Sequence, residues 1–133
     1  MTRLNAYLRF DGNCREALEF YRDCFGAELK LTPVGESQMA GDMPAGLHNQ
    51  ILHGELTKGD IVLMGADVMG MEKLVTGNNV ALCLVCTSKE DIQTYFAKLS
   101  VGAQVHHELR EEFFGTYGDL TDKFGLSWMF QMT

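Results

Sequence analysis

Basic residues are the minority: 11 lysines and arginines stand against 18 aspartates and glutamates, for a net charge of −7. An acidic surface repels phosphate backbones, and the few cations are scattered, so nucleic acid is not an expected partner. Long apolar runs are also missing. None reaches the roughly 20 residues that span a bilayer, so no membrane partner is expected. The first ten residues lack the apolar core of a signal peptide, and the expected location is cytoplasmic. Proline occurs only twice and no low-complexity run is present, which excludes a linker-like or disordered chain. What remains is a globular composition, 46% hydrophobic and 22% charged, in 133 residues. That is the size of one ordinary domain, read here as a single domain over residues 1–133.

Four cysteines are present, at Cys14, Cys24, Cys83 and Cys86. Without a secretory context, thiols are the expected state. Cys83-Leu84-Val85-Cys86 matches a redox C-x-x-C spacing. It lies, however, in an apolar run that reads as a strand, where positions three apart point to opposite faces. A redox pair would open a helix, whose dipole lowers the thiol pKa, so core packing is the expectation.

The chain repeats itself. Asn13-Cys14-Arg15-Glu16 has the pattern of a capping box, with Ala17, Phe20, Tyr21 and Cys24 on one helical face and Gly26 as the stop. Ser88-Lys89-Glu90-Asp91 opens a second helix in the same way, with Ile92, Tyr95, Phe96 and Leu99 as its stripe and Gly102 as its stop. Strands are predicted over residues 4–10, 27–34, 49–57 and 60–66 around the first helix. Around the second they fall over 80–86, 103–107, 112–120 and 126–132. Each half therefore reads β-α-β-β-β, module one over about residues 1–67 and module two over about 78–133. The expected class is α+β: two tandem modules forming a curved, cup-like mixed sheet with the helices on its outer face.

At this point the sequence resembles a family. The run Tyr7-Leu8-Arg9-Phe10, Gly12-Asn13-Cys14, Phe20-Tyr21 and Phe25-Gly26 is similar to the PhnB-like subgroup of the vicinal-oxygen-chelate superfamily, which includes glyoxalases, bleomycin-resistance proteins and dioxygenases. So are Leu52-His53-Gly54-Glu55-Leu56, Met64-Gly65-Ala66-Asp67, Gly115-Thr116-Tyr117-Gly118, Asp122-Lys123-Phe124-Gly125 and Trp128. The resemblance implies the paired-module fold. The subgroup also carries a demethylubiquinone methyltransferase label, but no glycine-rich nucleotide loop is present here.

The resemblance further implies one divalent metal inside the cup, held by histidine, glutamate or glutamine from four strands. The four positions fall on Asn5, Leu63 or Met64, Asn79 or Val80, and Met129. None offers a strong ligand, so neither metal nor other cofactor is expected.

Strand alternation gives the lining of the cup. Asn5, Tyr7 and Arg9 should face it, as should Ile51, His53 and Glu55, then Val62 and Met64, and Ser127, Met129 and Gln131. His53 is the candidate general base and Glu55 the residue that holds its tautomer. Arg9 would bind an anionic group. Tyr7, Met64, Met129 and, from the aromatic loop at 113–117, Phe114 are candidate ligand-binding residues. The alternative is an internal ion-pair network. Of His106-His107-Glu108 at most one histidine should face the cup, and beside Arg110, Glu111 and Glu112, the composition of a solvated turn, the cluster reads as surface. Residues 33–48, rich in glycine, proline and methionine, read as a lid or a disordered segment.

Three functions follow as expectations. The first is a metal-free, small-molecule-binding homodimer. The second is an enzyme, a lyase or isomerase using His53 or a dioxygenase-type metal enzyme with displaced ligands. The third is a drug-sequestering resistance protein.

Overall fold

The computed structural model describes residues 1–133. They form two compact units, Met1–Leu74 and Val75–Thr133. The first holds β1 (Ala6–Phe10), α1 (Cys14–Phe25), β2 (Glu28–Pro33), β3 (Ile51–Lys58) and β4 (Ile61–Asp67). The second holds β5 (Ala81–Val85), α2 (Lys89–Leu99), β6 (Gln104–Glu112), β7 (Gly115–Thr121) and β8 (Ser127–Met132). The strand orders are β1-β4-β3-β2 and β5-β8-β7-β6. In each sheet the first-named pair is parallel and the others antiparallel. Each unit is thus a β-α-β-β-β module with a mixed four-stranded sheet, and the repeat legible in the sequence is a structural one.

Each helix covers one face of its own sheet. The buried stripe of α1 is Cys14, Ala17, Leu18, Tyr21, Cys24 and Phe25, and that of α2 is Ile92, Tyr95, Phe96 and Leu99. Phe20, expected in the first stripe, is only half-buried, and Leu18 takes its place. Facing them are Leu8, Phe10, Leu56 and Leu63 in the first sheet, and Leu120, Trp128 and Phe130 in the second. Phe96 meets Phe130 edge-on at 5.0 Å between centroids. Burying a large apolar side chain contributes about 1.5–3 kcal/mol, so these stripes carry much of the stability. The helix lies close over β3: a Cβ at Gly54 would come within 2.5 Å of Leu18 Cδ1.

The two helix starts differ. Ser88 Oγ accepts from Asp91 N at 3.0 Å, as its sequence predicts. Asn13 makes no side-chain cap. Its place is taken by Asp67 at the end of β4, whose Oδ1 accepts from Gly12 N at 2.9 Å and Cys14 N at 3.0 Å. Its Oδ2 accepts from Ile51 N at 2.8 Å. A carboxylate at a helix N-terminus also meets the positive end of the helix dipole. The second unit has its own buried carboxylate. Asp122 Oδ1 accepts from Phe124 N and Leu126 N at 2.8 and 3.0 Å, and its Oδ2 from the Trp128 indole at 2.8 Å.

The segment between β2 and β3 corrects the expectation of disorder. It folds into three short 3-10 turns, Val34–Glu36, Ala40–Asp42 and Ala45–Leu47. His48 Nε2 donates to Ala40 O at 2.9 Å and Met43 O at 3.0 Å. Two carbonyl acceptors require the proton on Nε2. Val34 is fully buried, and Val34 N and Gly35 N donate to Gln50 O and His48 O, both at 2.9 Å. The His48 imidazole thus joins these backbone bonds in holding a segment whose sequence lacks a helical or strand period.

Candidate functional site

The face of each sheet opposite its helix carries the polar chemistry. In β1, Leu8 and Phe10 are buried while Tyr7 and Arg9 are exposed. In β3, Gly54 and Leu56 turn inward, leaving His53 and Glu55 on the open face. In β4, Leu63, Gly65 and Asp67 are buried, leaving Met64 and Ala66. Register then sets neighbours: Tyr7 lies opposite Met64, Met64 opposite Glu55, and Glu55 opposite Lys30. Ile51, expected on this face, is fully buried, beside the register shift at Thr32/Pro33 that lets its N–H reach Asp67.

The structure brings together four of the five candidates on this sheet. The Tyr7 hydroxyl and His53 Nδ1 lie 3.3 Å apart, with ring centroids at 5.8 Å. Tyr7 reaches across β4 to do this, so the partner that orients His53 is Tyr7 and not Glu55. His53 and Glu55 are two residues apart on one strand, about 6.5 Å along it, and the register neighbours of Glu55 are Met64 and Lys30. Arg9 turns away from the cluster to pair with Glu72 at 3.3 Å, both side chains being more than half exposed. Such a pair is worth little on its own and leaves Arg9 available to an anion. Burial pushes the Tyr7 phenol above its ordinary value, more than the neighbouring Arg9 pulls it down.

The second sheet holds the other two candidates and a cluster that sequence reasoning missed. Met129 lies on its open face, opposite Cys83 on one side and Asp119 on the other. Phe114 is half-exposed in the turn between β6 and β7, edge-on to Phe113 at 5.1 Å and 6.3 Å from the Tyr117 ring. Beside Met129, Asp119 Oδ2 accepts from the Tyr117 hydroxyl at 2.6 Å and Oδ1 contacts His107 Nδ1 at 2.9 Å. His106 Nε2 contacts Thr121 Oγ1 at 2.9 Å. Thr121 and Asp119 share a face, so both histidines project onto it. The surface reading of 106–108 holds, since all three residues are exposed, but no turn follows at 110–112 because β6 runs on to Glu112. The rule of alternation fails because the register slips between Val105 and His107. A bulge sets two residues against one and breaks the two-residue period. The alternation Tyr117-x-Asp119-x-Thr121 was visible in the sequence and pointed at this face. The bulge was not.

The hydrogen bond to Asp119 is the largest of the effects that push the Tyr117 phenol up, to about 12. For Asp119 burial acts upward, but the hydrogen bonds from Tyr117 and His107 outweigh it and hold the carboxyl below its usual range. Three of the cysteines, Cys14, Cys24 and Cys86, are buried packing residues, whereas Cys83 departs from the core-packing expectation. All four are free thiols, and burial raises Cys14 to about 12 and also raises Cys83 and Cys86. A redox pair needs the opposite shift. Cys86 is buried while Cys83 lies exposed on the open face.

The metal positions implied by the fold can be tested on their donors. Leu63 is buried beneath α1, so the second position is Met64. Asn5 and Met64 in the first unit, and Asn79 or Val80 with Met129 in the second, supply amides and thioethers. They offer neither carboxylate nor imidazole. That set does not fit a hard or borderline divalent cation.

Comparison with known proteins places this geometry in a family. Protein PA1353 of Pseudomonas aeruginosa is 30% identical, superposes with a TM-score of 0.87, and the match covers 99% of this chain and 98% of that one. Protein YjdN of Escherichia coli K12 is 28% identical over 137 residues, 95% of this chain and 92% of the relative. The PhnB protein of Bacillus cereus, at 23% identity and a TM-score of 0.79 over 99% and 100% of the two chains, shares the fold. So does a glyoxylase/bleomycin resistance protein/dioxygenase domain from Frankia, at 13% identity and 0.67 over 99% and 91%. The family model described as 3-demethylubiquinone-9 3-methyltransferase matches residues 2–132, and the chain therefore belongs to that family, with a fold it shares with the PhnB protein and the glyoxylase/bleomycin resistance protein/dioxygenase domain.

Proposed function

We propose that this protein is a cytoplasmic homodimer that binds a small molecule on the open face of its first sheet and does so without the superfamily metal. The observation that carries this reading is the Tyr7–His53 contact at 3.3 Å on a sheet face that no helix of its unit covers. Tyr7 and His53 supply hydrogen-bonding groups, Arg9 a cation for an anionic substituent, Glu55 an acceptor and Met64 an adaptable apolar floor. Methyl transfer, named in the family description, is not part of this reading. The joints that lead into α1 and α2 are Asp11-Gly12-Asn13 and Cys86-Thr87-Ser88, with one glycine between them rather than a glycine-rich phosphate loop. No helix is long and apolar enough to cross a membrane.

The reading is tested first on His53. Thermal shift against a panel of small carboxylates, phosphates and neutral metabolites should yield at least one compound with saturable stabilisation. His53→Gln should weaken that compound's binding by roughly tenfold to a hundredfold, the worth of a lost hydrogen bond, while barely moving the melting temperature. A lowered melting temperature with unchanged affinity would make His53 structural and remove it from the site.

Metal content is the second measurement. Protein purified without chelator should contain far less than one equivalent of Zn, Ni, Fe or Mn by elemental analysis. Near-stoichiometric metal would overturn the metal-free reading and turn attention to His53 and Glu55 as ligands. The third is assembly. The sheets end in β1, β2, β5 and β6, and unpaired edges are normally covered or paired. Sedimentation should give about twice the chain mass of 14.9 kDa at micromolar concentration, and a species of single-chain mass would refute the dimer.

A further inference from the structure

A second site follows from the open face of the second sheet. Asp119 is bonded through both oxygens, to the Tyr117 hydroxyl at 2.6 Å and to His107 Nδ1 at 2.9 Å. An ionised carboxylate only accepts, so both neighbours donate and the His107 proton sits on Nδ1. Nε2 then presents its lone pair, and the His107 side chain is 67% exposed, so that lone pair is open to solvent. The Asp119 side chain is only 19% exposed, which keeps the orienting bond partly out of water.

The surroundings of this imidazole are graded. Across the sheet its row runs His107, Asp119, Met129, Cys83, and the neighbouring row runs Arg110, Tyr117, Gln131, Val85. Arg110 is engaged with Glu112 at 2.7 Å, and His106 with Thr121. The polar end of the face therefore offers in His107 a proton acceptor whose tautomer a carboxylate fixes, and the other end offers sulfur and aliphatic surface, with Val85 66% exposed. Three strand spacings separate the ends, about 14 Å. That suits a flat molecule with an acidic hydroxyl at one end and an apolar body behind it.

We infer that His107 and Asp119 form a proton-accepting site for a small, weakly acidic hydroxyl compound, a phenol or an enol, whose body lies over Met129 and Cys83. On binding, the hydroxyl proton moves to His107 Nε2 and the O–H electron pair stays on the ligand oxygen. The imidazolium is held by the Asp119 carboxylate, and no oxidant or further reactant enters. Tyr117 is a positioning residue: it holds the second carboxylate oxygen and so fixes the direction of the first.

The probe is 4-nitrophenol, whose phenol and phenolate absorb at well-separated wavelengths, titrated in buffer below its own ionisation. The full-length protein should produce a saturable phenolate band. His107→Gln, at an exposed side chain that folding does not need, should weaken it about tenfold or more, and Asp119→Asn should do likewise. Tyr117→Phe should weaken it less. The inference is overturned if no saturable change occurs, if the bound probe stays un-ionised, if His107→Gln titrates like the parent, or if the loss is confined to His53→Gln.

Discussion

Asp67→Ala is expected to destabilise the first unit by about 3–5 kcal/mol, since it leaves the N–H groups of Gly12, Cys14 and Ile51 without their acceptor. Asp67 is 4% exposed, so water does not readily replace it. The three donors belong to the joint before α1, the first residue of α1 and the start of β3. One carboxylate at the end of β4 thus ties together the helix start and two strands. Chemical denaturation should show the loss as a lower midpoint, and the melting temperature should fall by on the order of 15 °C. Asn13→Ala is the matched control. The sequence marks Asn13 as the cap, but its side chain caps nothing, so its loss should cost less than about 0.5 kcal/mol. If Asn13→Ala proves the more damaging of the two, the assignment of the cap to Asp67 is wrong.

The second large effect is expected at Gly115. Its φ of +125° is a conformation that side chains rarely adopt, and an added Cβ would lie 2.1 Å from Met132 O. The obstruction is backbone of β8, which pairs with β7 at Thr116 opposite Met132. Relief therefore requires the strand pair to open, and no side chain can simply move aside. Gly115→Ala should cost about 2–4 kcal/mol and raise amide exchange along the β7–β8 ladder. Gly46→Ala, where an added Cβ meets nothing within 4 Å, should change stability by less than about 0.5 kcal/mol. Equal stabilities for the two variants would show that the strand end adapts freely.

Local pattern reached a long way into this molecule. The stripe Ile92, Tyr95, Phe96, Leu99 is buried throughout and recurs at helical spacing, so solvent exclusion decides which way α2 faces. Leu8 and Phe10 against Tyr7 and Arg9, or Trp128 and Phe130 against Met129 and Gln131, alternate cleanly. One buried face then determines the other. The β-α-β-β-β order, the two-fold repeat and the open-face positions of Tyr7, His53, Glu55, Met64 and Met129 were all determined this way. Each depends on a period of 3.6 or 2 residues that burial imposes on the chain.

Only the tertiary structure decided which partners those side chains have. Asp67 caps α1 from a strand 53 residues away from Cys14 in the chain, a distance at which no local motif operates. Tyr7 finds His53 across an intervening strand, and Arg9 leaves both for Glu72, because register and backbone path set those distances. His106 and His107 share a face only because β6 slips register against β7. Residues 33–48 are held by two hydrogen bonds from the His48 imidazole together with backbone bonds such as Val34 N to Gln50 O, and none of these carries a periodic signature. Periodicity is a property of single elements and is written along the chain. Partnership belongs to pairs of elements, and it exists only once hydrogen-bond register and packing have brought distant residues together.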